Sequence, residues 1–447
     1  MTDPRDPSPA GTTPTDPGNP PAASTPGATP KPGGSSNPAV SSNPAVSPNP
    51  AGVSRMWIVA LMLGIIGIFA AWFGPLQILL PEQSRVIADD AGIGKESLLA
   101  TVTGVGALVS MIANPLCGLF SDRTRSRWGR RIPVAVAGTV VGVAGLLVLS
   151  SAHGLAAMVA GWALVQAGFN GPFAAFTALI ADQVPEDKRG LVGSMFGVGQ
   201  IVGVVLGTVA ATVVGPGPLG YVALAVAAPT LISAVIVVQL GNPRTESARG
   251  PSSTGGWTFR LTRDFAWAWA MRCAMNTVNA IVMLYLFYYL SDEVGIADPA
   301  GQVLLVTVVN VLLSAAAAAV GGIWSDRIAR RRSFVIAGAV GVGLGTAVLG
   351  GFATWSTTVV AAVLVGVGWG LYLAVDIAIV TATLPDDESA ATMLGVANIA
   401  SSLPQVLAPL IAAPVVTSAL GYPGFYGLGV VAALIAVVCV RRITVIR

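Results

Sequence analysis

Twice in this 447-residue chain a long apolar run stops abruptly on an acid followed by a base: Gly118-Leu-Phe-Ser-Asp122-Arg123 and, 204 positions later, Gly322-Ile-Trp-Ser-Asp326-Arg327. A second pair keeps nearly the same register. Asp182-x-x-Pro185 leads into Gly190, and 200 positions on Ala382-x-x-Pro385 leads into Ala390. Two correspondences at almost one offset mean that the second half of the chain is a copy of the first. Charge set directly against hydrocarbon-compatible sequence places both copies in a membrane. The composition agrees, with 54% hydrophobic residues, 10% charged residues and a mean hydropathy of +0.75, far too apolar for a water-facing surface.

Twelve apolar runs are long enough to cross ~30 Å of hydrocarbon as helices. They fall at 57–80, 97–120, 132–152, 155–181, 190–214, 219–240, 265–290, 302–324, 333–353, 356–384, 391–414 and 421–440. The expected organisation is a Pro/Ser/Ala-rich disordered cytoplasmic tail (1–54), an N-terminal six-helix bundle (55–240), a polar cytoplasmic linker (241–264) and a C-terminal six-helix bundle (265–447). The tail carries a small tandem repeat, Ser-Asn-Pro-Ala-Val, and too little apolar surface to offset its ordering entropy. No basic region precedes a short apolar core near Met1, so the first span is expected to remain in the mature protein. Gly193, Gly197, Gly203 and Gly207 recur at close helical spacing and are expected to form a packing face.

The Lys and Arg residues set an orientation. With the amino terminus in the cytoplasm, the inner connections and termini hold 21 of them and the outer connections hold Arg85 and Lys95. The positive-inside rule then places both termini in the cytoplasm and the protein in the plasma membrane. The net charge of +3 is spread in these short clusters, which serve as topology signals, so no nucleic-acid partner is expected. Cys117, Cys273 and Cys439 lie in or beside apolar segments without metal spacing and are read as packing residues. No cofactor or metal is expected, and the chain is expected to be monomeric.

Between spans two and three lies Gly118-Leu-Phe-Ser-Asp122-Arg123-Thr-Arg-Ser-Arg-Trp-Gly129-Arg130-Arg131-Ile-Pro133. It resembles the signature loop of the major facilitator superfamily, in the longer spelling of the glycoside-pentoside-hexuronide cation symporters and the related sucrose transporters. The resemblance implies an all-α membrane fold of twelve helices in two pseudo-symmetric bundles over residues 57–440, with spans one, four, seven and ten lining a central cavity. It also implies a gate built from Gly118, Asp122, Arg123, Gly129, Arg130 and Arg131, echoed by Gly322, Asp326 and Arg327. In that gate Asp122 meets the start of span eleven near Ala391, and Asp326 the start of span five near Gly190. A carboxylate facing the positive end of a helix is worth ~1–2 kcal/mol when partly buried. That scale suits a switch between states separated by a few kcal/mol. The other reading of the arginines is that they serve as topology determinants alone.

Ionisable groups inside apolar runs are costly and therefore informative. Arg272 lies seven residues into span seven and Asp376 eight residues before the end of span ten, so they sit ~10 and ~12 Å from the same surface. Their matching depth predicts an ion pair facing the cavity, or else a fixed bridge between two helices without a ligand role. Asn276 and Asn279 continue the Arg272 stripe at i+4 and i+7. Gln166 and Asn170 form a stripe on span four; Trp72 and Gln77 flank Gly74-Pro75 on span one; Trp369 and Tyr372 precede Asp376 on span ten. Amides bond hydroxyl groups in both senses and rings cover apolar sugar faces, which suits a neutral polyhydroxyl ligand. The same amides serve equally well as glue between membrane helices. Asn398, Ser401 and Gln405 are read as such glue.

Spans one and two contain no acid before Asp122, where melibiose-type symporters of the resembled branch present acidic cation ligands. Sodium coupling by that scheme is therefore not expected, and Asp376 is left as the candidate proton carrier. His153 falls in a short outer connection and is read as a solvated loop residue. The function expected from all this is secondary transport of a small solute by alternating access, favoured as cation-coupled uptake of a sugar or glycoside. A drug or metabolite exporter is the alternative. A membrane-embedded enzyme would need a nucleophile-base pair or a metal cluster in a span, and the sequence offers neither, so the chain is not expected to be an enzyme. A sensor without transport would need a signalling domain that the sequence does not show.

Overall fold

A computed structural model describes residues 53–185, 188–241, 262–328, 330–384 and 390–446. Nearly all of the tail and of the linker inferred from sequence thus lies outside the described residues. Those described are helical, without strands. Span one is α1 (Arg55–Gly74), a π-helical segment (Pro75–Leu79) and α2 (Leu80–Ala91). Spans two to six are α3 (Lys95–Arg123), α4 (Arg131–Ser150), α5 (Leu155–Gln183), α6 (Arg189–Val214) and α7 (Pro218–Gly241). Span seven is α8 (Arg263–Leu284) followed, after a 45° bend at Tyr285, by α9 (Leu286–Asp292). Spans eight to twelve are α10 (Ala300–Ile328), α11 (Arg331–Gly351), α12 (Trp355–Thr383), α13 (Ala390–Val416) and α14 (Gly421–Arg442). Among the described residues eleven helices are long and apolar enough to cross a membrane, and the bent pair makes twelve.

Local chemistry sets the helix limits. Ser54 accepts from Trp57 N to cap α1, Thr262 accepts from Phe265 N to cap α8, and Thr354 with Thr357 forms a reciprocal capping box on α12. In span one Pro75 has no N–H to continue the ladder, and the bonding slips by one residue: Leu80 N–H reaches Pro75 O, the i+5 pattern of a π-turn. Gly129, at φ 84, occupies a left-handed position that lets the loop after α3 fold back into α4.

The duplication inferred from sequence is visible in the packing. Gly138 on α4 lies against Gly168 on α5, and Gly338 on α11 lies against Gly368 on α12, at an offset of 200 in both partners. In both places a Cβ would meet backbone closer than 3.0 Å, so the small residues are what allows the close approach. Gly203 and Gly207 of α6 press in the same way on Ile66 and Ala70 of α1. Gly193 and Gly197 do not: a Cβ on either would meet nothing within 4 Å, so the packing face expected over four glycines covers two. The difference is one of depth, because Gly193 and Gly197 lie in the arginine-bearing third of α6.

Among the described residues, polar side chains join the two halves at the end of the bundle away from the arginine clusters. Lys95 Nζ lies 2.7 Å from Asp292 Oδ1, and Tyr422 donates to Asp292 Oδ2 at 2.9 Å. Tyr288 donates to Pro81 O and Tyr285 to Glu96 O, each at 2.8 Å. The breaks in spans one and seven thus face each other across the halves. Towards the arginine end Phe120, Asp122 and Trp324 are exposed.

Candidate functional site

Arg272 is the hub of the C-terminal half. It leaves α8 two turns from Asp264, and its Nη1 lies 2.7 Å from Asp376 Oδ2 on α12. Its Nε donates to Ser401 Oγ on α13, also at 2.7 Å. Tyr372, one turn before Asp376, donates to the other carboxylate oxygen at 2.7 Å. Asn276 donates to Arg272 O at 2.8 Å, closing the α8 stripe on itself. The side chains of Arg272 and Asp376 are 14% and 7% exposed. Each charge therefore has its countercharge and further hydrogen bonds, the condition under which a buried pair is tolerated. The arrangement links three helices through one guanidinium and leaves a narrow access to it.

The corresponding place in the N-terminal half is apolar. The offset of 200 takes Asp376 to Phe176, and the offset of 208 between the starts of α8 and α1 takes Arg272 to Gly64. A Cβ on Gly64 would meet the Phe176 ring at 2.7 Å. An ion pair in one copy thus stands where the other has ring against glycine. Beside it lies an aromatic cluster: Trp72 and Phe173 have ring centroids 5.5 Å apart, and Phe69 lies 5.5 Å from Trp72 and 6.0 Å from Phe173. On α12, Trp369 lies 5.1 Å from Tyr372. Trp72, Phe173 and Trp369 are half-buried, and Trp72 Nε1 is enclosed without a hydrogen-bond partner.

The remaining amides expected at the site separate into two groups. Gln77 is buried within the π segment, where its Oε1 accepts from Thr208 on α6 at 3.0 Å and from Thr307 on α10 at 2.9 Å, tying the two halves together. Asn279 is half-buried on the α8 stripe. Asn170, in contrast, spends its amide inside its own half: Nδ2 donates to Ser110 Oγ and Gln166 O, and Oδ1 accepts from Asn114. These bonds fit the glue reading of Asn170. Gln166, half-buried, packs beside Trp162 near Gly106, so a Cβ there would meet both.

The signature loop is tied to its own half by Arg131. Arg131, 5% exposed at the start of α4, pairs with Asp122 at 2.5 Å, with Asp182 of α5 at 2.8 Å through Nη2 and donates to Ser121 at 3.1 Å. Arg130 adds a longer contact to Asp182 at 3.5 Å. The Asp122 side chain remains 58% exposed, and its described partner, Arg131, lies within its own half. The side chains of Asp326, Gly190 and Ala391 lie outside the described residues. Arg123 and Arg327 are exposed, and Gly118 and Gly322 have open space where a Cβ would stand. Asp182 is the partner of Arg131 that the sequence did not single out. It was visible as half of the 200-residue correspondence, and its replacement by Ala382 leaves Arg331 directed to Ala378 O at 3.5 Å.

Both halves match a family model described as Major Facilitator Superfamily, over residues 83–306 and 298–446. An uncharacterized symporter of Synechocystis sp. is 44% identical over 71 residues, a match that spans 15% of this chain and 13% of that protein's length. Among solved structures, the chain is similar to a peptide transporter POT in complex with sulfate, at 16% identity and a TM-score of 0.70, over 87% of this chain and 94% of that one. It is also similar to a bacterial homolog of the human lysosomal transporter Spinster in an inward-facing, occupied conformation, at 12% identity and a TM-score of 0.63, over 88% and 95% of the two chains. At such identities the likeness is one of fold. With the family model matched across both copies, the chain belongs to the major facilitator superfamily and is a multi-pass membrane transporter, not an enzyme.

Proposed function

We propose that the protein takes up a sugar or glycoside together with a proton, with the arginine-bearing end in the cytoplasm and the structure caught open towards it. The observation that carries this reading is the Arg272–Asp376 bridge with Tyr372 on its second oxygen. Protonation of Asp376 removes the charge that holds Arg272, and the released guanidinium becomes a donor for the hydroxyl groups of a ligand. Return of the carboxylate reverses the exchange, so the proton on Asp376 and the solute on Arg272 bind and leave together. The 21-to-2 excess of basic residues supports the orientation, and the cross-half contacts of Lys95, Tyr285 and Tyr288 support closure on the outer side. The short match to an uncharacterized symporter supports symport. The half-buried rings and the amides Gln77 and Asn279 support a polyhydroxyl ligand with apolar faces.

Proteoliposomes under an imposed proton gradient, supplied with a panel of radiolabelled sugars and glycosides, test this. Accumulation driven by the proton gradient and not by a sodium gradient is expected. Gradient-driven expulsion of a cationic dye, with no sugar accumulated, would replace the reading with that of an exporter.

A further inference from the structure

Residues 443–446, after α14, are held largely by their main chain. Asp264 Oδ2, in the first turn of α8, accepts from Thr444 N at 3.0 Å, Thr444 Oγ1 at 2.7 Å and Val445 N at 2.9 Å. Arg332, at the start of α11, donates from Nη2 to Ile443 O at 2.6 Å and Ile446 O at 2.9 Å. Ile443 and Ile446 are 0% and 4% exposed and belong to the main apolar core. One carboxylate and one guanidinium therefore bind the backbone of a short segment whose two isoleucines are plugged inward while Thr444 and Val445 are exposed, and they pin together the arginine-side tips of α8, α11 and α14. The other copy has no such residues: the same offsets pair Asp264 with Met56 and Arg332 with Ile132.

The pinned helix is the lower part of the bent span. Beyond Tyr285, α9 and the bend itself carry contacts to the other half through Tyr285, Tyr288 and Asp292. Below the bend, α8 carries Arg272. We propose that Asp264 and Arg332, acting through residues 443–446, anchor α8 so that the motion of span seven is taken up at Tyr285, with Arg272 kept against Asp376 and Ser401. Both are positioning residues. The anchor itself stands on geometry, while its consequence for transport rests on the reading above.

Spin labels at Arg263→Cys on α8 and Val438→Cys on α14, both exposed positions, report the anchor in a full chain whose Cys117, Cys273 and Cys439 are serine. A narrow distance distribution is expected in this parent, and one at least twice as wide in Asp264→Ala and in Arg332→Ala. Uptake should fall several-fold in both variants, and adding Arg272→Lys should lower it little further, because the same positioning is already lost. Should either alanine variant fail to fold, Asp264→Asn and Arg332→Lys take its place, with the same broadening expected. Unchanged widths would overturn the anchor. Broadened widths with independent, multiplicative losses on adding Arg272→Lys would overturn its link to Arg272. Failure of the parent to accumulate any sugar bears on the transport reading, and the widths decide the anchor regardless.

Discussion

At the scale of single residues, the energetic weight rests on buried charge. Removing one partner of a buried pair strands the other and is worth ~3–5 kcal/mol. Arg272→Ala and Asp376→Ala should therefore each lower the melting temperature in detergent and reduce transport more than tenfold. The exchange of both residues, Arg272→Asp with Asp376→Arg, should recover most of the stability. Asn170→Ala separates glue from site: with Ser110 and Asn114 left unpartnered, a stability loss of ~1–3 kcal/mol is expected with the half-saturation of transport unchanged. The pair was legible in the sequence because depth along a helix follows from residue count alone. The partners Ser401 and Asp182 were not, since choosing among polar residues on neighbouring helices needs the rotation of each helix about its axis. Asn170 shows the same limit, since its bonds to Ser110 and Asn114 depend on how α3 and α5 are turned towards each other.

At the scale of elements, small residues decide how closely helices approach. Gly207→Val on α6 would drive a side chain into the backbone of Ala70 and should cut the yield of folded protein, whereas Gly193→Ala meets open space and should leave melting within ~0.5 kcal/mol. Equal sensitivity at the two positions, measured by thermal unfolding, would contradict the packing described. The runs of apolar residues and their order came directly from the sequence, with limits within a few residues at most ends. The π segment after Gly74-Pro75 and the bend at Tyr285 did not. A proline announces a disturbance, but whether the ladder kinks, slips or stops depends on what packs beside it, here Gly207 and Leu224 against Gly74. Tyr285 carries no breaker residue at all.

At the scale of the whole molecule, two copies of one bundle have diverged so that the first supplies rings and the second supplies charge. The copy relation and the membrane setting were legible because duplication leaves the offset of glycines and charges intact. The conformational state was not, because both states of a transporter share one sequence. Lys95→Ala removes a contact between the halves at the outer end and should shift the equilibrium towards the outward-open form, read as faster labelling of a cysteine placed at Asn279 from the outside. Asp122→Ala should leave equilibrium ligand binding intact and slow turnover, since its carboxylate is bonded to Arg131 at the mouth of the bundle and not to the proposed site residues. In the proposed coupling a proton on Asp376 frees Arg272 for the solute, and Asp376→Asn in proteoliposomes is the sharpest probe of it. Exchange of labelled for unlabelled solute should persist while accumulation driven by a proton gradient is lost; accumulation at the parent's level would contradict the account.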